Sequence, residues 1–281
     1  MHHTLNINRQ LIAFDRPLVM GILNLTPDSF YDGGRYDNVS KVLHRVEQML
    51  SEGADIIDIG ACSTRPGSES VDENTEWQRL EKNIIQIVNH FPQAILSVDT
   101  FRSSVAQKAI SLGVAIINDI SGGAADNQMF PILSQLRVPY VLTHIQGTPN
   151  TMQIAPQYDG CVTDSVLKDL SAQIDILHQS GVGDIIVDPG FGFGKSLVDN
   201  YTLLASLHKF KALNCPILVG ISRKSMIYKL LDTTPEEAIN GTTVLNTIAL
   251  LAGADILRVH DVRQCVEAIK IVQTLQSTMP K

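Results

Sequence analysis

Polar side chains stand at the ends of short apolar runs along this chain, where their types could do chemistry. Eight runs end in, or lead into, such groups: Asn24, Ser63-Thr64-Arg65, Asp99, Asn118, His144, Asp188, Ser222-Arg223-Lys224 and His260. Taken singly, each has an ordinary explanation, since Asp and Asn cap helices or form turns and a buried His often satisfies backbone groups. Because all eight occupy the same kind of position, a shared concave site is the better interpretation.

The charges of these residues indicate the chemistry of a ligand. The carboxylates of Asp99 and Asp188 and the amide of Asn118 suit a heterocycle with several N–H donors. A second set suits an anion, because guanidinium groups recognise oxygen pairs and ammonium groups act as point charges. This set comprises Arg65, Lys224, Arg258 and His260. A ligand that combines a donor-rich ring with an anionic group would use both sets.

A glycine-rich stretch at 188–196 invites comparison with nucleotide-binding loops. The comparison fails, because Pro189 stands where a phosphate loop needs its first Gly and Lys195 where the dinucleotide motif needs its third. The glycines instead allow the backbone to approach a ligand closely. Phe193 and Lys195 are expected to fold over that ligand.

The elements that must position these residues are strands and helices in alternation. The strand-like runs are continuous and apolar, as in parallel sheets buried on both faces. They cover residues 18–25, 56–59, 95–99, 116–119, 140–144, 185–188, 217–220 and 256–260. Apolar residues at helical spacing mark 39–50, 80–88, 162–177, 242–251 and 262–275. Eight strand–helix units predict an α/β fold, a single (β/α)8 TIM barrel of eight parallel strands with outer helices.

A doubly wound open sheet is the alternative architecture, but it usually has about five or six strands. In a barrel the carboxyl ends of the strands carry the active site, so the polar residues would meet at one rim. We predict one domain over residues 1–281. Residues 1–17 form its lead, and 5–14 pair as two short strands that cap the barrel bottom.

The composition excludes several functional classes. The 281 residues carry a net charge of −7, which argues against nucleic-acid binding, because that requires a dense cationic face. The sequence shows neither an apolar run of membrane-spanning length nor a secretory signal pattern at its start. The widely spaced Cys62, Cys161, Cys215 and Cys265 favour a reduced, cytoplasmic environment and make a structural zinc site unexpected.

Six groups of motifs together resemble the dihydropteroate synthase family. They are MGILNLTPDSF at 20–30 with DGG at 32–34, DIG at 58–60 with STRPG at 63–67, SVDT at 97–100, INDISGG at 117–123, DPGFGFGK at 188–195, and SRK at 222–224 with RVH at 258–260. The resemblance implies a barrel enzyme that condenses 7,8-dihydropterin-6-ylmethyl diphosphate with 4-aminobenzoate. The products would be 7,8-dihydropteroate, a folate precursor, and diphosphate, with Mg²⁺ as the cofactor.

The resemblance also implies roles for individual residues. The pterin pocket corresponds to Asp99, Asn118, Asp188 and Lys224. The diphosphate side corresponds to Asn24, Thr64, Arg258 and His260, with Asn24 as the residue that binds Mg²⁺. The 4-aminobenzoate side corresponds to Thr64, Arg65, Pro66, Phe193 and Ser222. The residues implied to act in catalysis are Arg65, Lys224, Arg258 and His260.

The family's mobile loops correspond to residues 24–35 and 61–71. Tyr31, Cys62 and Thr143 depart from the commonest family pattern, which bears on loop details and on inhibitor sensitivity. Sulfonamides, which mimic 4-aminobenzoate, are expected to bind where Phe193, Pro66 and Ser222 meet. A homodimer is the family's usual state, and the helical segments 240–251 and 262–275 are its expected interface.

Two alternative functions stay open at this point. A pterin-barrel methyltransferase acting on a methylated folate would share the pterin acceptors but has no diphosphate to hold. The STRPG and RVH motifs, which correspond to the diphosphate side, therefore argue against the methyltransferase. A non-catalytic pterin-binding module is expected to have lost site residues, and none is lost in this sequence.

Overall fold

The computed structural model describes residues 3–7, 10–25, 38–62, 71–147, 152 and 156–278. The strands are β1 Thr4–Ile7, β2 Gln10–Ala13, β3 Leu18–Asn24, β4 Ile56–Gly60, β5 Ile95–Asp99, β6 Ile116–Asp119, β7 Tyr140–Thr143, β8 Ile185–Asp188, β9 Leu218–Val219 and β10 Ile256–Val259. The helices are α1 Asn38–Glu52, α2 Glu73–His90, α3 Ser103–Ser111, α4 Met129–Leu136, α5 Val162–Gln179, α6 Leu197–Ala205, α7 Ser225–Tyr228, α8 Ile239–Leu251 and α9 Val262–Thr278, with a 3-10 helix at Leu207–Leu213.

The eight strands β3 to β10 form one parallel sheet in the order β8-β7-β6-β5-β4-β3-β10-β9. A parallel bridge between Val187 and Ile217 joins the two edge strands. There the Val187 N–H donates to the carbonyl of Pro216 at 2.9 Å. The sheet therefore closes, the predicted (β/α)8 barrel is confirmed and the open doubly wound sheet is excluded.

The strand predictions hold within one or two residues, but several helices were not predicted. β9 is shorter than the predicted 217–220, since only Leu218 and Val219 pair with β10. The helices α3, α4 and α6 have eight or nine residues each. About two turns give too little periodicity to distinguish from a buried strand or a loop.

Local signals explain where two of the helices begin. α2 begins seven residues before the predicted segment, because Asp72 caps it by accepting from the N–H groups of Asn74 at 3.0 Å and Thr75 at 3.1 Å. At α6, the side chains of Ser196 and Asp199 form a capping box.

In the described residues, no helix combines the length and apolarity that crossing a membrane requires.

Two layers of apolar packing hold the barrel. The larger cluster lies between the sheet and the outer helices, with Val46, Ile84 and Leu170 among its fully buried members. Each strand thus buries one face against helices and the other in the barrel interior. Because both faces lie away from water, burial of these side chains supplies most of the stabilisation of the fold.

The N-terminal hairpin covers the amino end of the barrel. β1 and β2 pair antiparallel, and Leu5 and Ile7 point inward with Phe14. These side chains pack on the first interior layer of the strands, which comprises Leu18, Met20, Ile56, Ala115, Ile116, Val141, Ile186, Leu218 and Ile256. The Asn6 N–H donates to Asp184 at 3.0 Å, just before β8. The hairpin therefore closes the end of the barrel that lies opposite to the polar rim.

Candidate active site

The strand register brings the polar strand ends into one row. Asn24 pairs with Gly60, Gly60 with Asp99, and Asp99 with Asn118 across the neighbouring strands β3 to β6. Gly60 contributes no side chain to this row, and a Cβ there would lie in contact with the Cβ of Asp99, at 3.4 Å. The carboxyl ends of four strands therefore present an amide, a gap, a carboxylate and a second amide to the same space.

Arg258 on β10, the strand that pairs with β3, joins this row at its β3 end. Its Nη2 donates to the Oδ2 of Asp99 at 2.6 Å, and its Nε donates to the Oδ2 of Asp58 at 2.7 Å. The Nδ2 of Asn118 donates to the same oxygen of Asp58 at 2.9 Å. Four strands are thus linked through one cluster of buried, charge-assisted hydrogen bonds.

Electrostatics explains why this cluster is stable. Burial opposes the charge of Arg258, but the carboxylates of Asp58 and Asp99 outweigh burial and raise the pKa of Arg258 above its usual value. Burial raises the pKa of Asp99, with Arg258 opposing that shift and Asp58 reinforcing it. The Oδ1 of Asp58 has no hydrogen-bond partner among the described residues. A buried acceptor of this kind favours a ligand that brings N–H donors.

Asp188 and Lys224 form the second charged pair of the site. Asp188 is buried and its Oδ1 accepts the N–H of Gly190 at 2.8 Å. Burial raises the pKa of this carboxyl group, while Lys224 and the Gly190 N–H oppose the shift. Burial lowers the pKa of Lys224 to about 8, although Asp188 opposes this. The two groups therefore stabilise each other's charge without a solvent shell.

The β8–α6 connection holds Lys224 in place. The Nζ of Lys224 donates to the carbonyl of Phe191 at 2.5 Å and lies 4.4 Å from the ring centroid of Phe193. Phe193 also belongs to a small apolar cluster with Ile120 and Met152. An apolar wall therefore faces the carboxylates and amides, as a flat heterocycle with a polar edge requires.

Ser222 and His260 meet after the last two strands. The Oγ of Ser222 lies 3.0 Å from the Nδ1 of His260 and accepts the His260 N–H at 3.2 Å. Between Ser222 and Lys224, Arg223 adopts a φ of 55° and forms a bidentate ion pair with Asp261, at 2.9 and 2.6 Å. The pair offsets the cost of this left-handed conformation and directs Arg223 away from its two neighbours.

The structure therefore brings together most of the predicted site residues. Asp99, Asn118 and Arg258 share one cluster, Asp188, Lys224 and Phe193 a second, and Ser222 and His260 a third. Thr64, Arg65, Pro66 and Tyr31 lie outside the described residues, as do 26–35 and 63–70 of the two predicted loops. Thr143 and Cys62 are the other two departures from the commonest family pattern. Thr143 is buried. Burial raises the pKa of Cys62 to about 12, so Cys62 stays a thiol.

Comparison with known proteins decides the family. Residues 20–260 match the family model described as pterin binding enzyme. The dihydropteroate synthase of Escherichia coli strain K12 is 41% identical over 95% of this chain and 94% of its own length. The chain belongs to the dihydropteroate synthase family.

Solved structures of dihydropteroate synthases have the same fold. The Yersinia pestis enzyme, in a sulfonamide drug complex, has a TM-score of 0.91 at 38% identity over 99% of this chain and 100% of its own. The Xanthomonas albilineans enzyme with 4-aminobenzoic acid has a TM-score of 0.91 at 36% identity over 100% of both chains. The same enzyme with 7,8-dihydropteroate gives 0.88 at 36% identity over 99% of this chain and 100% of that one.

Sequence reasoning did not assign a role to Asp58. In the sequence, Asp58 is a carboxylate inside the otherwise apolar strand β4, and this position is a signal that the residue has a special role. In the structure it is fully buried. Its partner Arg258 lies 200 positions further along the chain, so the pairing itself requires the fold. The prediction that Lys195 folds over a ligand was wrong, because its amino group points inward to the Nδ1 of His144, at 3.0 Å.

A buried network beside Asp99 was also missed. Glu76 accepts the Thr100 hydroxyl at 2.6 Å and pairs with Arg102. Arg102 donates to the carbonyl of Val71 at 2.5 Å and contacts the sulfur of Cys62 at 3.8 Å. The network therefore fixes the residues on either side of 63–70 to the end of β5.

Proposed function

We propose that this chain condenses 7,8-dihydropterin-6-ylmethyl diphosphate with 4-aminobenzoate to give 7,8-dihydropteroate and diphosphate. The observation that carries the proposal is the convergence of Asp99, Asn118, Asp188, Lys224 and Arg258 at one rim of the barrel. The family and the 4-aminobenzoic acid and 7,8-dihydropteroate bound to the Xanthomonas relative support it. The activity is that of a transferase in folate biosynthesis.

The pterin ring is held by its polar edge. The buried carboxylate of Asp188 accepts N–H groups of the ring, and these bonds offset the cost of keeping the charge away from water. Asn118 offers an amide that can accept or donate. Lys224, held by Phe191 and Phe193, donates to an acceptor of the ring. The ring is thereby oriented with its methylene group toward the open rim.

The reaction breaks one carbon–oxygen bond and forms one carbon–nitrogen bond. The electron pair of the methylene C–O bond leaves with the diphosphate, and the positive charge that remains is delocalised into the pterin ring. Arg258 and His260 are proposed to stabilise the negative charge that develops on the leaving oxygen. His260 is positioned for this by Ser222, and Arg258 by Asp58 and Asp99.

The amine of 4-aminobenzoate completes the reaction. It attacks the methylene carbon with its lone pair and then releases one proton, so it is neutral before attack and needs no strong base. Thr64, Arg65 and Pro66 are proposed to bind 4-aminobenzoate, together with Phe193 and Ser222. Positioning and electrostatics therefore account for most of the rate. Sulfonamides are proposed to bind in the same place.

Mg²⁺ is the proposed cofactor, and the residues present fit it. In the described part of the chain, no group of three or more His, Cys, Asp or Glu side chains could hold a metal. Mg²⁺ commonly keeps water and phosphate oxygens as ligands, so the single amide oxygen of Asn24 at the end of β3 suffices. When bound with the diphosphate, Mg²⁺ supplies Lewis-acid neutralisation of its charge.

We propose a homodimer that forms through α8 and α9. Apolar side chains project to solvent from one face of each helix, namely Val244, Ile248 and Leu251 on α8 and Ile271 and Leu275 on α9. α8 and α9 contact each other, and a second copy of the chain is proposed to cover these exposed side chains. The proposed compartment is the cytoplasm, which suits the free thiols of all four cysteines.

The decisive experiment is turnover by the purified protein. With both substrates and Mg²⁺ it should release diphosphate and form dihydropteroate in equal amounts. Asp188→Ala should abolish pterin binding in calorimetry, whereas Asp175→Ala, at an exposed position of α5, should leave it unchanged. A folded wild-type protein that binds the pterin diphosphate without turnover would overturn the proposed reaction.

A further inference from the structure

Lys195 is a buried lysine that the proposed reaction does not use. Its side chain is only 4% exposed. The Nζ lies 2.9 Å from the carbonyl of Gly190, 3.1 Å from that of Phe193 and 3.0 Å from the Nδ1 of His144. Burial lowers the pKa of Lys195 to about 7, and in its ammonium form the three N–H donors match these three acceptors. The lysine therefore joins the β8–α6 connection to the end of β7.

The backbone of this connection fits only because glycines allow it to pack closely against the residues that follow β7. A Cβ on Gly190 would lie 1.8 Å from the carbonyl oxygen of His144, and one on Gly194 would lie 2.5 Å from that of Gln146. Both glycines have positive φ, at 73° and 65°. The contact is thus specific to one arrangement of the two segments, and the amino group of Lys195 lies at its centre.

His144 is arranged to accept from Lys195. Burial and the charge of Lys195 lower the pKa of His144 to about 3, so the imidazole is neutral. Its Nε2 lies 3.3 Å from the carboxylate of Asp169 on α5, which assigns the ring proton to Nε2 and leaves Nδ1 as the acceptor. Asp169 and His144 line a surface groove of about 440 Å³, so the outer end of this chain of contacts meets solvent.

The same connection supplies both contacts that hold Lys224. The carbonyl of Phe191 accepts from the Lys224 ammonium, and the ring of Phe193 lies against it. Gly192, between them, lies close enough that a Cβ would approach the Cδ of Lys224 to 3.3 Å. Any shift of residues 190–194 therefore moves the ammonium that faces Asp188.

We infer that Lys195 is a positioning residue for the pterin pocket, which acts by clamping residues 190–194 to His144 so that Phe191 and Phe193 hold Lys224 in place. The inference rests on the proposed function only in taking the pterin diphosphate as the ligand. A misplacement of about 1 Å near reacting groups can cost about 100-fold. Loss of the clamp should therefore weaken pterin binding about 10- to 100-fold while the barrel stays folded.

A double-mutant cycle tests whether Lys195 acts through Lys224. Lys195→Met should weaken binding of the pterin diphosphate about 10- to 100-fold in the wild-type background. In a Lys224→Gln background the same substitution should weaken binding by less than about threefold, because the effects of coupled residues are non-additive. Equal effects in the two backgrounds would overturn the inference. Lys168→Met removes an exposed lysine of α5 and should leave affinity unchanged. Thermal unfolding confirms that each variant is folded.

Variants of His144 give a second readout that does not need Lys224→Gln. His144→Asn keeps an acceptor near the position of Nδ1 and should retain affinity within about threefold, whereas His144→Leu should behave like Lys195→Met. Equal affinities for the two His144 variants would also overturn the clamp. Binding is measured directly, so an inactive wild-type protein would disprove the proposed reaction without deciding this test.

Discussion

At the scale of single residues, the site depends on two carboxylates that share one guanidinium. The single positive charge of Arg258 is shared by the carboxylates of Asp58 and Asp99, and each carboxylate is buried or nearly so. An ion pair of this kind adds little stability relative to an apolar core, but breaking it leaves charges uncompensated. The arrangement therefore fixes the orientation of Arg258 at the rim and contributes little net stability to the barrel.

Removing the guanidinium should destabilise the protein in a pH-dependent way. Arg258→Met leaves Asp58 and Asp99 buried without a cation, at a cost of about 3–5 kcal/mol in the free energy of unfolding near pH 8. The substitution raises the pKa of Asp99 further above its unfolded value, so the folded state binds more protons and stability falls as pH rises. Urea unfolding should accordingly show a smaller loss at pH 5 than at pH 8.

The control for this prediction is an ion pair at the surface. Arg16 and Asp55 form a contact of 2.6 Å that is partly exposed. Arg16→Met should lower the free energy of unfolding by less than about 1 kcal/mol, with little dependence on pH. A loss for Arg258→Met that is equally small, or equal at both pH values, would contradict the proposed charge balance.

Lys224 should make pterin binding sensitive to alkaline pH. Its pKa of about 8 means that the ammonium, which is the donating form, is lost as pH rises through that value. Affinity should then fall by up to about tenfold per pH unit above 8. Lys224→Arg keeps its charge at these pH values, so its affinity should not show this fall. An unchanged alkaline fall in Lys224→Arg would assign the titration to another group.

At the scale of elements, the two ends of the barrel separate stability from function. The hairpin of β1 and β2 covers the amino end with Leu5, Ile7 and Phe14, and the polar row stands at the carboxyl end. Contacts at the amino end can therefore be weakened without moving the site. This division is usual for barrels whose chemistry is carried by connections after the strands.

Truncating an inward side chain of the hairpin should lower stability alone. Leu5 is 1% exposed, so Leu5→Ala should cost about 2–5 kcal/mol in the free energy of unfolding while kcat/KM of the folded enzyme stays the same. Leu11 on the same hairpin is 75% exposed, and Leu11→Ala should change stability by less than about 0.5 kcal/mol. Denaturant unfolding and steady-state kinetics test both. Lost activity without lost stability would contradict the separation.

The elements were the most predictable part of the molecule. Strands such as β6 to β8 are buried along their whole length, so their apolar runs stand out in the sequence. Residues at strand ends followed from the barrel rule, which places Asp99 and Asn118 side by side. Asp58 lies inside a strand, and its role arises from a partner far along the chain. Lys195 could not be oriented from sequence, because its three acceptors come from two separate connections.

At the scale of the whole molecule, the exposed apolar side chains of α8 and α9 are the surface proposed to form the dimer interface. Ile248 and Leu251 on α8 and Ile271 on α9 are 42%, 48% and 67% exposed. Side chains at these helical spacings lie on one face of each helix. This surface is on the barrel wall, so a dimer formed there would leave both rims open to substrates.

Charges introduced into this surface should prevent dimerisation. The double variant Ile248→Glu with Ile271→Glu should sediment as a monomer at concentrations where the wild-type chain is a dimer, because an interface core does not accommodate unpaired carboxylates. Ile176→Glu, at a position 50% exposed on α5, should leave the dimer intact. A monomeric wild-type protein would contradict the proposed assembly.

The ion pairs of Arg258 also set an order for events during synthesis. Asp58 and Asp99 precede this residue by 200 and 159 positions, and β10 pairs with β3 only after both strands exist. A ribosome therefore releases the two acidic groups long before the cation that neutralises them. A nascent chain cannot complete these ion pairs until β10 has emerged. A pterin ligand would then stabilise only completed barrels against unfolding, and it would not stabilise prematurely terminated fragments.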